Sequence, residues 1–148
     1  MNPNAAIPSA PAYKSEGETL TQVHFSYLKD ELGFDYSHFA YSSPRIRVCL
    51  EVGQKSVKIQ LVKIGEPHST RLDLNMFLLY LDGRIPDWDH SEHSLEQNIR
   101  HAAALLKPWA DQIDREIEQL WLPVHKCQYE YYREAYASQG MLENFDVI

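Results

Sequence analysis

The chain has 148 residues, 44% of them hydrophobic and 24% charged, with a formal net charge of -7. That length suits one domain able to bury a real core, and the acidic balance argues against nucleic-acid binding, which needs clustered Lys and Arg against phosphate. An acidic surface fits a basic protein partner, although acidity for solubility alone gives the same charge.

The first 17 residues, MNPNAAIPSAPAYKSEG, lack the basic start and apolar run of a signal peptide. Rich in Pro, Ala, Ser and Asn, they read as a flexible tail, which leaves 18–148 as a single α+β domain. No apolar run approaches the length needed to span a bilayer. Cys49 and Cys127 are far apart and form no CxxC pair. A cytoplasmic, reducing setting is expected, and whether the two thiols meet stays open.

The first helix is expected from about Thr19. Leu20, Val23, Tyr27, Leu28 and Leu32 recur at helical intervals, with Thr19 or Thr21 as cap and Gly33 as C-terminal stop. Phe34, Tyr36, Phe39 and Tyr41 then suggest a strand with an irregularity near Ser37–His38. Ile46, Val48, Leu50 and Val52 alternate with Arg45, Arg47, Cys49 and Glu51. After the Gly53-Gln54-Lys55 turn, Val57, Ile59 and Leu61 complete an antiparallel hairpin over 45–64. At Leu61-Val62 the alternation slips, which implies a bulge or a strand covered on both faces.

Past Gly65-Glu66-Pro67, the apolar run of RLDLNMFLLYL fits a short helix capped by Asp73, with a strand as the alternative. A helix beginning at Ser91 or Ser94 carries Leu95, Ile99, Ala102, Leu105 and Leu106 on one face. Pro108 should kink or break it, and Pro123 should break the next one, leaving a last helix from Val124 to about Ser138 and a stop at Gly140. Strands grouped together and followed by a helical C-terminal half define the α+β class.

Chemistry concentrates in the LDGRIPDWDHSEH segment, 81–93. Asp82, Asp87, Asp89 and Glu92 surround one basic residue, Arg84, with Trp88 among them. An aromatic ringed by carboxylates suits the grip on a basic partner, Trp88 as anchor and the acids as steering charges. Asp87, Asp89, His90, Glu92 and His93 also include metal-ligand types, but neither the HExxH nor the EF-hand spacing is present. A solvated acidic loop that caps the next helix explains them with nothing added. The same carboxylates are the candidates for acid/base chemistry, which needs a burial that sequence does not reveal.

His125 and Cys127 sit two apart on a helix and point to different faces. Cys49 reads as a small packed residue. Tyr129, Tyr132 and Tyr136 share a helical face expected to pack on the sheet, which leaves Tyr131 as the interface candidate. Further acids, Glu96, Asp111, Asp114, Glu116 and Glu118, extend either the acidic surface or an ordinary solvated helix face.

The run YSSPRIRVCLEVGQKSVKIQLVKIG, preceded by FSYLKDELGF, resembles small bacterial immunity proteins of polymorphic toxin systems over Phe25–Leu81. The resemblance implies a cytoplasmic, non-enzymatic inhibitor that blocks a basic toxin domain, and it carries no functional residues across. The expectation is therefore a protein-binding module with Trp88, Asp87, Asp89, Glu92, Asp82 and Tyr131 at its surface. No catalytic set, metal or cofactor is assigned to it. The alternatives are a small metal-dependent or acid/base enzyme using Asp87–His93, and a homodimeric structural or adaptor subunit.

Overall fold

The computed structural model describes residues 15–67, 70–87 and 92–139. Helix α1, Glu16–His24, starts earlier than its apolar spacing indicates, because the Ser15 hydroxyl caps the Glu18 N–H. Thr21, expected as a cap, is buried inside α1 and donates its hydroxyl to the Gly17 carbonyl. Phe25 interrupts the helix, and α2, Ser26–Asp30, continues it.

The sheet is a five-stranded antiparallel meander in sequence order: β1, Asp35–Ser37; β2, Ala40–Ser42; β3, Ile46–Val52; β4, Val57–Lys63; and β5, Leu72–Asp73. The expected irregularity near Ser37–His38 is a two-residue turn, with His38 and Phe39 both left-handed (φ 44° and 61°). Such φ values disfavour a bulky residue. Here they are imposed by bonds on both sides of Phe39. Its N–H donates to the Tyr36 hydroxyl at 3.2 Å, and its carbonyl accepts from Leu50 at 2.8 Å.

Tyr41, Ile46, Val48, Leu50, Val57, Ile59, Leu61 and Leu72 form the buried face of the sheet. The slip at Leu61-Val62 produces no bulge. Register runs unbroken from Ile46 opposite Lys63 to Val52 opposite Val57. Val62 and Cys49 are instead buried on the opposite face, so both faces of these strands carry buried side chains.

The LDLNMFLLYL run is both alternatives at once: Leu72–Asp73 is a strand and α3, Leu74–Asp82, a helix. Asp73 stands at the N-cap position but makes no side-chain cap. Its carboxylate accepts instead from Gln60 and from the Tyr132 hydroxyl. Gly83, left-handed at φ 80°, ends α3.

Helix α4, Leu95–Leu106, opens with a capping box between Ser94 and Gln97, which settles the choice between Ser91 and Ser94. It ends before Pro108, as expected. Helix α5, Ala110–Ser138, then runs without a break through Pro123. A proline inside a helix costs about 3 kcal/mol. Ile113, Ile117, Leu120, Trp121 and Val124 are buried on both sides of it, and each such side chain contributes about 1.5–3 kcal/mol. Packing wins. The Gly140 stop lies outside the described residues.

Helix α4 packs on β4 and on α1, while α5 packs on α3 and β5. The Gln128 side chain on α5 seals the edge of the sheet. It accepts from the Asp73 N–H at 2.9 Å and donates to the Arg71 carbonyl at 3.5 Å, a substitute for the missing neighbour strand. No helix among the described residues is long and apolar enough to cross a membrane.

Candidate functional site

The acidic connection between α3 and α4 begins at Gly83, the C-cap of α3. Asp82, the last residue of α3, is exposed and paired with Arg84 at 3.2 Å. Ile85 and Pro86 then turn inward, half-buried, and Ile85 packs against the core. Asp87 follows them, exposed. Trp88 and Asp89, the expected anchor and one of the expected steering charges, lie outside the described residues, as does His90. Glu92 is exposed just before the Ser94 cap.

Ile85, Pro86 and Asp87 form one wall of an open hollow of about 690 Å3. The opposite wall is the β3–β4 hairpin end: Glu51, Val52, Gly53, Ser56, Val57 and Lys58, with Asn75 of α3 completing the lining. The hairpin turn is held in place from below. Asn98, fully buried on α4, donates its side-chain amide to the Lys55 carbonyl at 2.7 Å. Inside the turn, the Gly53 N–H donates to the Ser56 carbonyl at 2.8 Å. The position of this wall therefore depends on a buried side-chain bond and not on the turn residues alone.

The lining combines apolar surface from Val52, Val57, Ile85 and Pro86 with the Glu51 and Asp87 carboxylates, against one amine on Lys58. Such a hollow accepts the methylene stem of a lysine or arginine against its wall and the charged head at its acidic rim.

The wider acidic surface is thinner than composition implies. Asp114 is not on the surface at all: only 5% exposed, it accepts from Ser43 and Arg45. Glu96 pairs with His24, Asp111 with Arg115 and Glu118 with Lys63, while Glu116 accepts from Gln112. Glu96, Asp111 and Glu118 stay exposed beside these partners and remain part of the acidic surface, together with Asp87 and Glu92.

The tyrosine helix also departs from expectation. Tyr129 and Tyr132 do not pack on the sheet; they are 50% and 36% exposed. The Tyr132 hydroxyl does reach it, donating to Asp73 at 2.7 Å, and burial, followed by this bond, holds its pKa well above the ordinary tyrosine value. Tyr131, the interface candidate, is 41% exposed with its ring edge-on to Tyr132 at 5.5 Å. Leu122, at 75%, adds exposed apolar area on the same helix.

Among the described residues no group of three or more His, Cys, Asp or Glu side chains is arranged to hold a metal ion. His93 stacks edge-on against His101 at 5.2 Å. Cys49 and Cys127 are both free thiols, and burial raises the pKa of each. Neither is activated as a nucleophile.

Sequence reasoning missed the hairpin wall of the hollow. Its signal was present in the alternation of β3 and β4, which places Glu51 and Lys58 opposite one another. Nothing local, however, indicated that Ile85–Asp87 would stand across from them. No family model, curated protein or solved structure matches this chain.

Proposed function

We propose that this protein is a non-enzymatic binding module of the immunity type, which occludes the active surface of a basic toxin domain in the cytoplasm. The observation that carries the reading is the hollow between the β3–β4 hairpin and Ile85–Asp87, lined by Val52, Val57, Ile85 and Pro86 together with the Glu51 and Asp87 carboxylates and the Lys58 amine. A basic side chain of the partner enters there, and Asp87 and Glu92 steer the approach. Trp88, adjacent to Asp87 in sequence, is the proposed aromatic anchor.

The test is affinity capture on the tagged protein from lysate of its native host, followed by expression of any captured protein alone. A stoichiometric basic partner that arrests growth unless this protein is co-expressed supports the reading. Asp87→Lys with Glu92→Lys should then weaken that complex at low salt more than at high salt. A captured partner that is acidic, harmless alone, or bound equally well by the charge-reversed variant overturns it.

A second reading, a homodimeric adaptor, is favoured by the exposed Leu122, Tyr129 and Tyr131 on α5. Light scattering over a range of concentrations separates a dimer from a monomeric inhibitor.

A further inference from the structure

The face of the sheet turned away from the helices carries a second hollow, of about 400 Å3. Alternation along β3 directs Arg47, Cys49 and Glu51 to this side, opposite the buried Val48 and Leu50. The β1–β2 turn closes one end with His38, and Arg71, just before β5, closes the other. Two guanidinium groups thus converge around a thiol in a chain whose net charge is -7.

The arginines are held but not consumed. Arg47 Nε meets the Ser42 hydroxyl at 3.3 Å, and Arg71 Nη1 meets Glu51 Oε1 at 3.5 Å, both long contacts. Each guanidinium has five N–H donors. The remaining side-chain donors of Arg47 and Arg71 make no hydrogen bond among the described residues. Both cations act electrostatically on the Cys49 thiol, pulling its pKa down against the larger upward effect of burial. Glu51, which lines the same hollow and pairs with Arg71, opposes them at the thiol. The floor thus carries two guanidinium groups against one carboxylate, an excess of one positive charge beside a buried thiol, which favours an oxyanion.

We infer that this hollow binds a small phosphate-class oxyanion, clamped between Arg47 and Arg71 above Cys49. The ligand is inorganic phosphate or a small phosphate monoester, and the site shares only Glu51 with the toxin-facing hollow proposed above.

The test compares the full-length protein with an Arg47→Gln Arg71→Gln variant by thermal melting in phosphate and in chloride at equal ionic strength. Phosphate should raise the melting temperature of the parent with a saturable concentration dependence. The double variant should keep only the small, non-saturating rise that phosphate gives any protein. An equal rise in both proteins, or none in the parent, overturns the inference. Phenyl phosphate and acetate serve as further ligands: the first should stabilise like phosphate and the second should not.

A positional readout uses Cys127→Ser, which leaves Cys49 as the sole thiol. Inorganic phosphate should slow its alkylation by iodoacetate. Removing both arginines should lower the iodoacetate-to-iodoacetamide rate ratio by about tenfold, since steering of an anionic reagent is lost. An unchanged ratio in a folded double variant contradicts a site at this position.

Discussion

Replacing Asp114 should be among the most damaging single changes in this protein. Its carboxylate is 5% exposed, and it accepts the Ser43 hydroxyl at 2.5 Å and Arg45 Nη2 at 2.6 Å. Its backbone carbonyl takes Arg45 Nε at 3.0 Å. The Ser43 hydroxyl in turn accepts the N–H groups of Arg45 and Ile46, so one carboxylate organises the whole β2–β3 turn against α5.

Asp114→Ala removes two charge-assisted bonds and leaves the part-buried Ser43 hydroxyl without its acceptor. Each such bond contributes about 1.5 kcal/mol or more. The total stays below the 3–5 kcal/mol of a fully buried broken pair, because the Arg45 side chain is half exposed and re-solvates. The expected loss is about 2–3 kcal/mol, and for a domain of this size a melting temperature lower by roughly 5–12 °C. Asp114→Asn, which keeps one acceptor oxygen, should lose about half as much. Urea unfolding followed by circular dichroism, with an unchanged m-value, measures both. An Asp114→Ala loss under about 0.5 kcal/mol, the size of an ordinary surface change, would refute the assignment of this carboxylate as the organising contact.

Three further outcomes are expected. Tyr36 has its pKa pushed up to about 12, by burial and then by donation to Glu18, and burial pushes Tyr41 up to about 12 as well. These raised values stabilise the fold fully below the ordinary tyrosine pKa near 10, and that contribution is lost as pH climbs from about 10 to 12. The urea midpoint should fall across that window, and less steeply in Tyr36→Phe; identical slopes would contradict the role given to Tyr36. Asn98→Ala should cost about 2 kcal/mol by orphaning the Lys55 carbonyl and should speed hydrogen exchange at Gln54–Ser56, an effect absent if the turn holds itself. Pro123→Ala should stabilise by about 1–2 kcal/mol, since α5 is already continuous there; a destabilised variant would mean that the proline shapes the packing of Trp121 and Val124.

The candidate site was only partly legible in the sequence. Asp82, Asp87 and Glu92 are exposed, as a polar segment between two helices should be. The hollow beside Asp87 needed β3 and β4 to arrive from some thirty residues upstream, and no local pattern encodes that meeting. Asp114 was read as one surface acid among several because helical spacing gives a face, not a neighbour. Its burial depends on Ser43 and Arg45, brought across 71 and 69 residues. Tyr129 was misplaced for the same reason: the buried stripe of α5 ends at Val124, and helix geometry alone gives no sign of where the sheet stops.

The sequence by itself determined what short-range physics controls. It marked the alternating β3 and β4, a cap at Ser91 or Ser94, the stop at Gly83 and the interruption at Pro108, each set by backbone sterics or contacts within four residues. Tertiary structure decided the outcomes in which local preference lost to packing. Buried side chains carry α5 through Pro123, cross-strand hydrogen bonds hold His38 and Phe39 left-handed, and Asp73 is drawn from its cap by Gln60 and Tyr132. In each case a local cost of about 1–3 kcal/mol is outweighed by contacts with residues distant in the chain, whose positions exist only once the whole domain has closed.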